Sequence, residues 1–192
     1  MGKLKKFILY IASFKPILLS HHPNCTNYNK HTFKIGKYRF CIGCFIGYTT
    51  AIIGIFAISF LNLVEIIDIR YFFYISIVLM STFILSPLNL TKFKSIKIIQ
   101  KTLIGIGAAF MFWYIWTLPN SFTMNFLIFN IVFGLLLMIF NAYHGYGFFK
   151  TCKKCEYKFN WENCPGFEKV YKNFAKYNLS GMFISKNKRN ED

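Results

Sequence analysis

TLIGIGAAFMFWYIWTLPNSFTMNFLIFNIVFGLLLMIFNAYHGYGFF, residues 102–149, runs without one charged side chain. A helix needs about 20 residues to cross the roughly 30 Å of hydrocarbon in a bilayer, so this stretch is too long for one span. Leu118-Pro119-Asn120-Ser121 is a turn signal near its middle. The stretch therefore reads as a helical hairpin, with spans at 102–118 and 122–146.

Working outward, residues 40–64 and 71–91 are also free of charge. Apolar residues make up 55% of the 192-residue chain and aromatics 20%, and the mean hydropathy is +0.38. An ordinary soluble domain of this length does not have that composition. Lipid cannot satisfy exposed backbone polar groups, so spanning segments must be helices or a closed barrel. The expected fold is an all-α membrane protein with four transmembrane helices over 40–149, carrying small zinc-knuckle-like cytoplasmic segments at both ends.

Charge sets the orientation. Eight basic residues lie before position 40, Lys92, Lys94, Lys97 and Lys101 form the middle loop, and ten more lie between Lys150 and Arg189. The first loop holds only Arg70, beside Glu65 and Asp68, and the hairpin turn has no charge. The positive-inside rule places the basic side, with both termini, in the cytoplasm of a multi-pass cell-membrane protein. Tyr71-Phe-Phe-Tyr74 and the Trp113, Tyr114, Trp116 group then fall at the outer interface, where amphipathic rings are favoured. The glycosylation patterns at Asn24, Asn89 and Asn178 face the cytoplasm and read as chance matches.

Residues 1–20 begin with lysines around a short apolar core, but Lys15-Pro16 follows and no small-residue cleavage site is apparent. Leu4, Phe7, Ile8, Ile11, Phe14 and Leu18 recur at helical spacing and predict an interfacial amphipathic helix. Gly2 is not a myristoylation site, because Lys6 stands where Ser or Thr is needed.

All six cysteines flank the spans on the cytoplasmic side, where reducing conditions disfavour disulfides and clustered thiols point to metal. In the 21–44 segment, His22-x2-Cys25 and Cys41-x2-Cys44 are two knuckles fifteen residues apart, close to a four-ligand zinc spacing. Between them, Phe33, Ile35, Tyr38 and Phe40 around Gly36-Lys37 predict a β-hairpin. In the 150–167 segment, Cys152-x2-Cys155 and Cys164 supply three thiols. His144 or His21 is the available fourth ligand. Either two sites lie side by side, or Cys41/Cys44 and Cys152/Cys155 interleave in one. His31 reads as a solvated loop residue. The expected cofactor is one or two structural zinc ions. Iron–sulfur ligation is the alternative, and mixed His/Cys knuckles favour zinc.

At FKIGKYRFCIGCFIGYTTAIIG, with SHHP upstream, the chain resembles a family of small prokaryotic multi-span membrane proteins known as a domain of unknown function. They share a His-Pro segment, a glycine turn and a Cys-x-x-Cys opening the first span. The likeness covers roughly 20–54. The family cysteine that precedes the histidine is Ser20 here, with Cys25 downstream instead, and the resemblance implies no activity.

Transport would call for ionisable residues within the spans, and none is present. Asn62, Asn130 and Asn141 are explained by helix–helix hydrogen bonds, and Gly105, Gly107, Ala108 and Ala109 by close helix packing. A zinc- or thiol-dependent membrane enzyme is the alternative reading. Glu156 and Glu162 are the carboxylates near enough to the cysteines to serve as its base, and Lys153 and Lys154 would favour a Cys152 or Cys155 thiolate. A formal charge of +16 could also serve a membrane-tethered nucleic-acid binder. The one-sided topology already accounts for that charge, so anionic lipid headgroups are the expected partner and nucleic acid is not. Phe167, Val170, Tyr171 and Phe174 share a helical face within the basic 168–192 segment, with Lys169, Lys172 and Lys176 towards the other. That helix is expected on the membrane or on a cytoplasmic protein partner. The expected role is a docking or assembly module.

Overall fold

The computed structural model describes residues 3–179. Gly2, Ser180 of the third glycosylation pattern and the last basic residues of the tail lie outside the described residues. In chain order the elements are α1 (Lys3–Ser13), α2 (Lys15–Leu18), β1 (Thr32–Ile35), β2 (Tyr38–Cys41), α3 (Ile42–Phe60), α4 (Leu63–Ile66), α5 (Ile69–Ser81), α6 (Lys94–Trp116), α7 (Phe122–Lys154) and α8 (Glu168–Lys176). Short 3-10 turns link several of them. The chain forms two compact units, one of residues 42–147 and one combining the N-terminal 41 residues with those from Phe148 onward.

Three helices are long and apolar enough to cross a membrane: Ile42–Phe60, Lys94–Trp116 and Phe122–Lys154. The helical hairpin expected from 102–149 is present, and Asn125 closes its turn by donating from Nδ2 to the Leu118 carbonyl at 3.0 Å. In this helical unit α6 packs against both α3 and α5. Two glycines make that arrangement fit. A Cβ on Gly105 would stand 2.5 Å from the Gly47 carbonyl oxygen of α3, and one on Gly107 would stand 3.1 Å from the Ser76 carbonyl oxygen of α5. Residues two apart on a helix point about 200° apart, so each glycine admits a different neighbour. The Trp113 indole N–H adds a 3.0 Å bond to the Ile55 carbonyl. Ile58, Phe72 and Ala109 form the buried core between the three helices.

The second apolar stretch departs from the expected 71–91 helix. Here α5 starts at Ile69, ends at Ser81 and continues only as a 3-10 turn, Thr82–Leu85. Pro87 follows. It has no N–H to extend the ladder, and its ring crowds the carbonyl four residues back. Gln100, buried on α6, supplies further bonds at this break. Its Nε2 donates to Thr82 O at 2.8 Å and Phe83 O at 3.3 Å, and Gln100 also bonds the Ser86 hydroxyl. Gln100 was no part of the expected intramembrane polar set, and Asn130 behaves otherwise than expected. It donates back to Phe126 O of its own helix at 2.7 Å. Gln100→Leu keeps the bulk but removes these bonds, at about 0.5–1.5 kcal/mol for each. The expected result is a lower unfolding midpoint of the purified protein in a detergent titration; an unchanged midpoint would refute this role.

In the terminal unit, α8 lays Val170 and Phe174 against Leu9, Tyr10, Phe14 and Ile17 of α1 and α2. The apolar face of α8 is thus used within the chain, not held free for membrane or partner. Asn173 Nδ2 reaches the carbonyl of Ser13 at the end of α1 (3.2 Å). Asn178 takes a left-handed conformation (φ 55°), and Leu179 N–H returns to Phe174 O at 2.9 Å, a Schellman-type stop. Asn178 of the glycosylation pattern is therefore a helix terminator. The β-hairpin stands where expected. Ile35 pairs with Tyr38, and Gly36 (φ 56°) takes the left-handed first position of the two-residue turn.

Candidate metal centre

The hairpin delivers Cys41 to the interior. Cys41 lies opposite Thr32 at the end of β2, and its N–H donates to Leu19 O at 3.2 Å. His22 arrives from the preceding turn, which Ser20 fixes by donating its hydroxyl to His22 O at 3.0 Å. The His22 ring stacks on Tyr28 with centroids 4.6 Å apart. Both donors are buried, His22 at 3% and Cys41 at 2% exposure, with 3.8 Å between His22 Nε2 and Cys41 Sγ. A zinc ion bonded to a nitrogen at about 2.0 Å and a sulfur at about 2.3 Å leaves them about 3.6 Å apart. The pair fits a shared ion, and the buried His/Cys donors mark this region as a candidate metal site.

The other sequence candidates fall as follows. His21 is exposed and left-handed (φ 50°). His31 is exposed but lies beside the His22 and Tyr28 rings. Cys44 is the third residue of α3, in the helical unit. His144 is half-buried on α7. Eight residues of helix separate His144 from Cys152, about 12 Å along the axis. All six cysteines lie among the described residues and none is in a disulfide.

Cys25 is half-buried. Its thiol is pushed above the usual range mainly by burial, and the thiol charges that act on it are those of Cys164 and Cys155. Two residues that spacing did not single out hold its loop. Tyr28, 2% exposed, donates its hydroxyl to Phe148 O at 3.3 Å and lies 3.4 Å from Cys152 Sγ. Burial, with the Cys152 contact next, raises the Tyr28 hydroxyl far above its ordinary value, so it remains a neutral donor. Arg39 spreads its guanidinium over Thr32 Oγ1 (2.7 Å), Asn29 Oδ1 (3.0 Å) and Asn24 Oδ1. Asn24 of the first glycosylation pattern is thereby occupied. The readable signal for Arg39 was an arginine in a segment otherwise basic through lysine, since only the planar fork binds several acceptors at once. A single tyrosine carried no such signal.

The chemistry of an enzyme is less well served. Glu162, Cys164, Glu168, Tyr171 and Lys172 line a shallow cavity of about 460 Å³, but Glu168 is engaged by Lys172. Glu156 is exposed. Cys152 is buried and partnered by Tyr28, whereas reactive thiols are accessible and electropositive.

Comparison with known proteins finds no matching family model, curated protein or solved structure.

Proposed function

We propose that this chain is a four-span membrane protein whose two terminal segments, both cytoplasmic, form a zinc-stabilised cap that acts as a docking or assembly module. The observation that carries this reading is the terminal unit itself. The N- and C-terminal segments fold together through the α1–α8 core, and buried ligand-type side chains sit within that unit rather than on a substrate cavity. Zinc is the ion that suits a mixed imidazole and thiolate set.

Three further features support the membrane half of the reading. The Ile69–Leu85 element is about 27 Å long at helical and 3-10 rises, close to the hydrocarbon thickness. On α7, Phe126, Leu127, Ile131, Leu135 and Met138 are exposed, as lipid-facing side chains would be. On α1, Leu4, Phe7, Ile8 and Ile11 form an exposed stripe, suited to the headgroup boundary with Lys5 and Lys6 near anionic lipid. Lys169, Lys172 and Lys176 of α8 point outward and offer a basic face to lipid or to a cytoplasmic partner.

Membrane-impermeant maleimide tests the topology. Cys25 and Cys164 are expected to stay unlabelled in intact cells treated with a chelator and to react once those cells are permeabilised; labelling from outside would overturn it. Native electrophoresis of gently solubilised membranes tests the role. The wild type is expected in a larger assembly than a Cys152→Ser/Cys155→Ser variant, and equal migration would count against an assembly module.

A further inference from the structure

We infer that Cys25, Cys152, Cys155 and Cys164 form a four-thiolate site for one zinc ion, in which the N-terminal segment supplies the ligand that the C-terminal trio lacks. This deepens the zinc-stabilised cap and rests on it for the reducing compartment alone. The donor set is different from the His22–Cys41 pair.

Backbone contacts bring the four together. Asn24 N–H donates to Gly166 O at 3.0 Å, and the Pro23 ring fills the space above Gly166, 2.5 Å from where a Cβ would stand. Cys25, next after Asn24, and Cys164, two residues before Gly166, thus lie on two chain segments that are in contact. Tyr28, three residues beyond Cys25, closes the opposite edge by placing its hydroxyl 3.4 Å from Cys152 Sγ. Cys155 is turned back onto Cys152 by its N–H bond to Cys152 O at 3.2 Å. Trp161, packed among Phe148, Phe159 and Phe167, ties the loop between Cys155 and Cys164 to the end of α7.

The electrostatics agree with that placement. Burial is the main influence on the Cys25 and Cys152 thiols and raises both, with smaller contributions from the charges of Cys155 and Cys164. Four thiolates so placed repel one another, and a divalent cation relieves this. Tetrahedral thiolate ligation with soft sulfur donors suits zinc. No three of these sulfurs lie within 4.8 Å of one another, against about 3.8 Å between ligands of a tetrahedral set, so binding would draw both segments inward. Just after Cys155, Lys158 (φ 37°) and Phe159 (φ 67°) are both left-handed. Side-chain-bearing residues hold such conformations only where their surroundings impose them, and an anchored Cys155 would be one such constraint.

The test uses the full chain in detergent, purified under reducing conditions with zinc, and needs no variant for its first arm. Alkylation mapped by mass spectrometry is expected to show Cys25, Cys152, Cys155 and Cys164 protected together by zinc and exposed together by chelator. A second arm replaces zinc with cobalt. Cys25→His should retain one metal per site with weaker thiolate charge-transfer absorption, and Cys25→Ser should lose that metal. Bound zinc with Cys25 alkylated as fast as in the chelated protein overturns this site and leaves the cap reading standing. A protein that binds no zinc overturns both, and bound iron overturns the zinc assignment.

Discussion

Gly105→Leu is expected to unfold the helical unit or leave it without its three-helix packing. A side chain there meets Thr50 Oγ1 as well as the Gly47 carbonyl oxygen and Ala51 nitrogen of α3. Thr50 can rotate, but helix backbone cannot withdraw without separating α3 from α6. Overpacking commonly costs about 1–3 kcal/mol where side chains can adjust, and here backbone is the obstacle, so the loss should lie at or above the top of that range. Thermal unfolding in detergent, followed through Trp113, measures it. Gly145→Leu is the control, because a Cβ on Gly145 meets nothing within 4 Å. Equal stability of the two variants would show that α3 and α6 do not pack as described.

Phe174→Ala should detach α8 from α1. Phe174 is 4% exposed and meets Tyr10 at 5.7 Å and Phe14 at 5.5 Å, ring centre to ring centre. Truncating such a ring costs about 3–5 kcal/mol, and a nine-residue helix has little stability of its own. Amide hydrogen exchange of residues 168–176 is the direct measurement, with protection expected to fall sharply while that of α6 is retained. Unchanged protection would mean that α8 is held by something other than this core. The result also separates the present packing from an α8 that lies on lipid, since a lipid-bound helix would keep its protection only when vesicles are present.

The apolar helices were legible in the sequence because removing charge over twenty or more residues leaves few structures open to the chain. The hairpin turn at 118–121 and the β-turn at Gly36-Lys37 were legible for a similar reason, as local backbone chemistry at known positions. The amphipathic face of α8 was also readable, yet its cover was not: periodicity shows that a face is apolar, not what will bury it. The break after Ser81 could be traced to Pro87, but the bonds from Gln100 depended on which helix lies alongside. For the metal donors, the cysteine spacing marked residue types that can bind a metal. It could not show that Tyr28 lies against Cys152, since spacing limits reach along the chain and leaves direction open.

The sequence alone determined that the chain is mostly apolar helix, that its basic residues are segregated, and that thiols and imidazoles cluster at the ends of the helical region. Those properties follow from composition and local order, which the chain carries at every stage of folding. Only the tertiary structure decided that α6 packs against both α3 and α5, that α8 spends its apolar face on α1, and that Tyr28 lies against Cys152. Such pairings join residues far apart in the chain, as Gly105 with Gly47 and Asn173 with Ser13, and they are selected by complementary shape and backbone contact rather than by any local pattern.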